Sequence, residues 1–121
     1  MTSTILVVDD IPANVKLLEA KLSNEYYNVL TACSGKEALA LLEKQSANVD
    51  MVLLDVMMPE LNGYQILEIL KEDPILSKIP VIMVTAKVMD VDIQKGLNLG
   101  VYDYITKPFH AELLIRRIQI I

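Results

Sequence analysis

A single α/β domain with a doubly wound, five-stranded parallel sheet is predicted by three features of this 121-residue sequence. Short, nearly continuous apolar runs recur along the chain, as in strands buried on both faces. Segments with helical spacing of apolar residues separate them, giving five β-then-α units. Each run ends in polar residues or turn signals. The clearest is Val52-Leu53-Leu54-Asp55-Val56-Met57-Met58-Pro59, followed by Asn62-Gly63, where aliphatic residues lead into one carboxylate. Right-handed crossovers and double winding put ligands outside the carboxyl ends of the strands. Asp55 therefore falls at the mouth of a crevice, where an unpaired charge is costly and must meet a cation, a hydrogen-bond network or solvent.

Ile5 to Val8 reads as the first strand and ends in Asp9-Asp10. Pro12 suits a helix first turn, and Ile11, Val15, Leu18 and Leu22 form one helical face. The second strand runs from about Asn28 to Cys33. Ser34-Gly35 opens a helix that carries Ala38, Leu39, Leu41 and Leu42 to about Gln45. Met51 to Asp55 is the third strand. A helix from about Asn62 carries Ile66, Leu67, Ile69 and Leu70, and Asp73-Pro74 ends it. Val81 to Thr85 is the fourth strand. A weakly amphipathic helix, Val88 to Leu99, stops at Gly100. Tyr102 to Thr106 is the fifth strand, closed by Lys107-Pro108, and His110 to Ile121 is the last helix.

The composition narrows the function classes. At 53% hydrophobic the chain can cover both faces of a sheet, and 121 residues suit one domain, 1–121, and not two. A net charge of −5 argues against direct nucleic-acid binding. One cysteine, Cys33, allows no intrachain disulfide, which fits a reducing, cytoplasmic setting. It reads as a small buried residue. No secretory signal is visible, and no apolar run approaches a membrane span.

The strand ends carry the chemistry. The first strand offers Asp9 and Asp10, the third Asp55, the fourth Thr85 and the fifth Lys107. Taken singly, each has an ordinary reading: a solvated acidic turn or helix cap, a β-favouring threonine, a surface lysine. Together they place three carboxylates, a hydroxyl and an ammonium at one edge. Three carboxylates repel one another, and a hard divalent cation relieves that repulsion. Oxygen ligands in an incomplete cage suit Mg²⁺, or Mn²⁺ in its place, over Zn²⁺. Asp55, alone on its strand, is the candidate nucleophile toward a phosphoryl group. Lys107 supplies fixed positive charge for the phosphoryl oxygens and Thr85 a hydroxyl donor.

Val7-Val8-Asp9-Asp10, Leu53-Leu54-Asp55-Val56-Met57-Met58-Pro59, Asn62-Gly63, Val84-Thr85-Ala86 and Thr106-Lys107-Pro108 resemble, in order and spacing, a response-regulator receiver domain. The resemblance spans nearly the whole chain. It implies the flavodoxin-like, CheY-like (βα)5 fold with strand order 2-1-3-4-5. It implies that Asp55 accepts phosphate from a phosphohistidine on a histidine kinase or phosphotransfer protein. It further implies that Asp10, Asp55 and the Met57 main-chain carbonyl bind Mg²⁺, with Asp9 acting through water. Thr85 and Tyr104 become the switch pair, and Lys107-Pro108 a cis peptide. The stretch from Asp10 to Leu22, with Glu25-Tyr26-Tyr27 after it, is similar to the first receiver of PleD-type regulators, which carry a GGDEF diguanylate cyclase domain. Such a parent would be the enzyme, whereas the receiver itself performs only its own phosphotransfer. The apolar last helix (Leu113, Leu114, Ile118, Ile120 and Ile121) exceeds one buried stripe, so a homodimer or a following domain is expected on the face of the fourth helix, fifth strand and last helix.

Competing readings make less of these residues. A stand-alone regulator without an output domain, or a receiver-shaped scaffold that never takes phosphate, is the runner-up. A haloacid-dehalogenase-type enzyme wants a second acid at position 57, which is Met. A flavin binder would set its phosphate against Asp9 and Asp10, which repel it. His110, at the start of the last helix, reads as a capping or surface residue.

Overall fold

The computed structural model describes residues 3–85, 98, 100–101, 103–106 and 111–120. Five parallel strands, β1 (Thr4–Val8), β2 (Asn28–Ala32), β3 (Met51–Asp55), β4 (Val81–Thr85) and β5 (Asp103–Thr106), form one sheet in the order β2-β1-β3-β4-β5. The expected order and fold class are therefore observed. The described helices are α1 (Pro12–Asn24), α2 (Gly35–Gln45), α3 (Gly63–Glu72) and α4 (Ala111–Ile120), with short 3-10 turns at Ser46–Asn48 and Leu76–Lys78. The helix expected over 88–99 lies outside the described residues apart from Asn98.

Side-chain alternation along the strands builds two cores. Ile5, Val7, Met51, Leu53, Ile82 and Ile105 pack with Leu18 and Leu22 of α1 and Leu114 and Ile118 of α4. Leu6, Val8, Val52, Leu54, Val81 and Met83 pack with Ala38 and Leu42 of α2 and Ile66, Leu67 and Leu70 of α3. Helices thus cover both faces, which is why the inner strands read as unbroken apolar runs. β2 is an edge strand and only its last residue, Ala32, is fully buried.

Two expectations about burial are corrected. Ile11 is not on the buried face of α1 but 50% exposed. It is the N-cap, in extended conformation ahead of Pro12, so the helical stripe starts only at Val15. Cys33 is exposed, not buried. β2 ends one residue earlier, and the Cys33 N–H turns to the Glu37 carboxylate while Ser34 Oγ accepts from Glu37 N. That segment caps α2 and does not extend the sheet. Ile69 is exposed on α3 and Leu113 on α4. The side chains of Ile120 and Ile121 and the whole of His110 lie outside the described residues.

Candidate functional site

Parallel register brings the acidic residues together. Val8 pairs with Leu54, so Asp9 and Asp55 each follow by one residue on adjacent strands. Both have the parity of Ile5, Val7, Met51 and Leu53, the face covered by α1 and α4. Asp9 and Asp55 are 3% and 4% exposed, and Asp10 is half-buried. One carboxylate oxygen from each lies within 4.8 Å of the others. The sequence-based trio is therefore one cluster.

Backbone amides hold two of these groups in place. Asp9 Oδ1 accepts from Ile11 N at 2.9 Å, and Asp55 Oδ1 from Met57 N at 3.3 Å. Past Asp55 the chain stays tied to the sheet, Val56 N donating to Val84 O. The Met57 side chain is 66% exposed, and the contribution expected of this residue to a site is its main-chain carbonyl.

α3 begins directly under this strand end. Asn62 is its N-cap in a full capping box: Asn62 Oδ1 accepts from Gln65 N at 3.0 Å, and Gln65 Oε1 from Asn62 N at 2.9 Å. Gly63 N donates to Val56 O at 2.9 Å. A Cβ on Gly63 would fall 2.7 Å from Asp55 O and 2.9 Å from Val56 Cα. Glycine at this position is therefore what allows the helix start to lie on the Asp55–Val56 backbone. The Asn-Gly pair read as a turn in the sequence; its capping partner three residues on was a signal available there.

The backbone of Thr85 ends β4, opposite Thr106 and one residue beyond the Asp55–Val84 pair. Its side chain, and the whole of Lys107 and Pro108 with the cis bond expected between them, lie outside the described residues. Tyr104 is half-buried against the α2–α3 core, its hydroxyl 3.3 Å from that of buried Tyr64. Sequence reasoning missed Tyr64, because nothing local connects residues 40 apart. Tyr64→Phe and Tyr104→Phe are each expected to cost about 0.5–1.5 kcal/mol. The double variant should cost less than their sum in urea denaturation. Strict additivity would show that the hydroxyls do not stabilise each other.

Residues 5–119 match the family model of the response regulator receiver domain, and the chain belongs to that family. It is 46% identical over 119 residues to the response regulator PleD of Caulobacter vibrioides, covering 98% of this chain and 26% of PleD. It is 42% identical over 116 residues to a probable cyclic di-GMP phosphodiesterase of Vibrio cholerae, covering 96% of this chain and 26% of that protein. The chain thus spans about a quarter of the length of these relatives. Its fold superimposes on the chemotaxis protein CheY4 of Vibrio cholerae with a TM-score of 0.92 at 28% identity, covering 99% of this chain and 98% of that one. It is a receiver domain of two-component response regulators, a family that works with histidine kinases or phosphotransfer proteins. No helix among the described residues is long and apolar enough to cross a membrane.

Proposed function

We propose that Asp55 is the phosphoacceptor of this receiver. The observation that carries the reading is the Asp9–Asp10–Asp55 cluster, with Asp9 and Asp55 buried, at the carboxyl edge of the sheet in a chain of this family. The Asp55 carboxylate attacks the phosphorus of a partner's phosphohistidine. A P–O bond forms, the P–N bond breaks, and the imidazole leaves with the electron pair and takes up a proton. Met57 N–H orients Asp55 Oδ1. Lys107 offsets charge on the phosphoryl oxygens and Thr85 donates to one of them.

The donor set suits a hard divalent cation: three carboxylates, all oxygen, close enough to share one ion. Asp10, Asp55 and the Met57 carbonyl would hold Mg²⁺, with Asp9 acting through water. The ion, when bound, neutralises charge between the acceptor and the incoming phosphoryl group. Because the cluster forms only in the folded chain, Mg²⁺ should raise the melting temperature. At ten times its Kd the gain is about 1.4 kcal/mol, some 5 °C for a domain of this size. A melting curve indifferent to millimolar Mg²⁺ would contradict the assignment.

The switch rests on Thr85 and Tyr104. Phosphorylation draws in Thr85, Tyr104 repacks, and the face of β5 and α4 changes shape. Exposed Leu113 on α4 is an apolar contact for a second copy or a following domain there. The identity to PleD, and to a protein named a probable cyclic di-GMP phosphodiesterase, supports an output in cyclic di-GMP turnover, with a GGDEF diguanylate cyclase as the leading form. The alternative is a stand-alone regulator without an output domain. Intact mass of the native gene product separates the two.

The test of the acceptor is borohydride trapping after treatment with acetyl phosphate and Mg²⁺. Reduction converts an aspartyl phosphate to homoserine, which peptide mass mapping should place at position 55. Homoserine at position 9 or 10 would overturn the assignment.

A further inference from the structure

We propose that Asn14 is a positioning residue for the acidic site, acting through Asp9. Asn14 lies in the first turn of α1, its own N–H bonded to Ile11 O at 3.0 Å, so the helix start fixes where its side chain begins. Its Nδ2 donates to Asp9 Oδ2 at 3.3 Å, while Ile11 N donates to Asp9 Oδ1 at 2.9 Å. A carboxylate only accepts, so the amide must present its NH₂ and not its oxygen.

Each Asp9 oxygen thus accepts from a neutral donor among the described residues. That pair sets the plane of a carboxylate that is 3% exposed and belongs to the three-carboxylate cluster. Neutral donors suit this place. They reduce repulsion among the acids without adding a cation that would compete with a divalent ion. Partners that orient a metal site's acids from outside it typically change affinity by about 10–100-fold when removed.

This inference rests on the cation-binding reading of the cluster, and the test separates the two. Free Mn²⁺ is followed by electron paramagnetic resonance as protein is titrated, well below melting, for wild type, Asn14→Leu and Asn14→Gln. Leucine keeps the volume and removes the donor; glutamine keeps the amide. Loss of stability alone does not change Kd in a folded sample, and far-UV circular dichroism verifies folding. The expected result is about tenfold weaker Mn²⁺ binding for Asn14→Leu, with Asn14→Gln recovering most of it. Equal affinity in wild type and Asn14→Leu would overturn the role of Asn14. So would equal weakening in both variants, which would mark a packing effect. No Mn²⁺ binding by wild type would instead overturn the cation reading itself. If Asn14→Leu misfolds, Asn14→Ala takes its place with the same expected weakening.

Discussion

Asp55→Asn is expected to take up no phosphoryl group and, without divalent cations, to melt above wild type. The substitution keeps the shape and keeps an acceptor for Met57 N–H. It removes one of three negative charges whose oxygens lie within 4.8 Å of one another. At that separation two unit charges repel by about 3 kcal/mol at an effective dielectric constant near 20. Lost favourable contacts of the carboxylate offset part of this, leaving a net gain on the order of 2 kcal/mol. For a domain of this size that is roughly 8 °C in melting temperature. The benefit should shrink as Mg²⁺ is added, since the ion relieves the same repulsion in wild type. Differential scanning calorimetry in chelator and in Mg²⁺ checks both halves. An Asp55→Asn variant that melts below wild type in chelator would show that the carboxylate is stabilised in place and not repelled.

Gly63→Ala is the second large effect, and it has the opposite sign. In an ordinary helix alanine would gain about 1 kcal/mol over glycine. Here the added Cβ meets two backbone atoms, Asp55 O at 2.7 Å and Val56 Cα at 2.9 Å, besides Met83 Cε at 2.9 Å. The methionine tip can move; the strand backbone cannot without shifting Asp55. Overpacking of this kind costs about 1–3 kcal/mol. The upper end is expected here and outweighs the propensity gain, for a net loss of about 2 kcal/mol. Because the strain falls on β3 beside Asp55, the proposed acceptor, the folded variant should also accept phosphate more slowly than wild type. Chemical denaturation together with a phosphorylation time course reads both. A Gly63→Ala protein of wild-type stability and rate would contradict the close approach of α3 to β3.

The sequence showed most of what depends on local pattern. β3 and β4 run from Met51 to Asp55 and from Val81 to Thr85 as read, because both strands are inner and apolar throughout. The acidic cluster was legible because strand ends in a parallel sheet share one edge, so Asp9, Asp10 and Asp55 could be grouped without any contact map. What escaped was lateral. The Asn14 contact depends on how α1 is rotated over the sheet, and Tyr64 with Tyr104 on the packing of α3 beside β5. Ile11 fits the helical spacing of a stripe that it precedes, since spacing alone does not mark where a helix begins. Cys33 reads as buried in the sequence because an edge strand looks like its inner neighbours there, whereas in the structure the cap of α2 takes over its amide. Strand order came from family resemblance, because five similar β-then-α units do not by themselves rank the strands.

The most direct measurement is intact mass after incubation with acetyl phosphate, for wild type and Asp55→Asn, each with Mg²⁺ and with chelator. The expected result is a gain of one phosphoryl group in wild type with Mg²⁺ and in no other sample. A gain that persists in Asp55→Asn, or in chelator, would contradict Asp55 as the acceptor or the divalent ion as its partner.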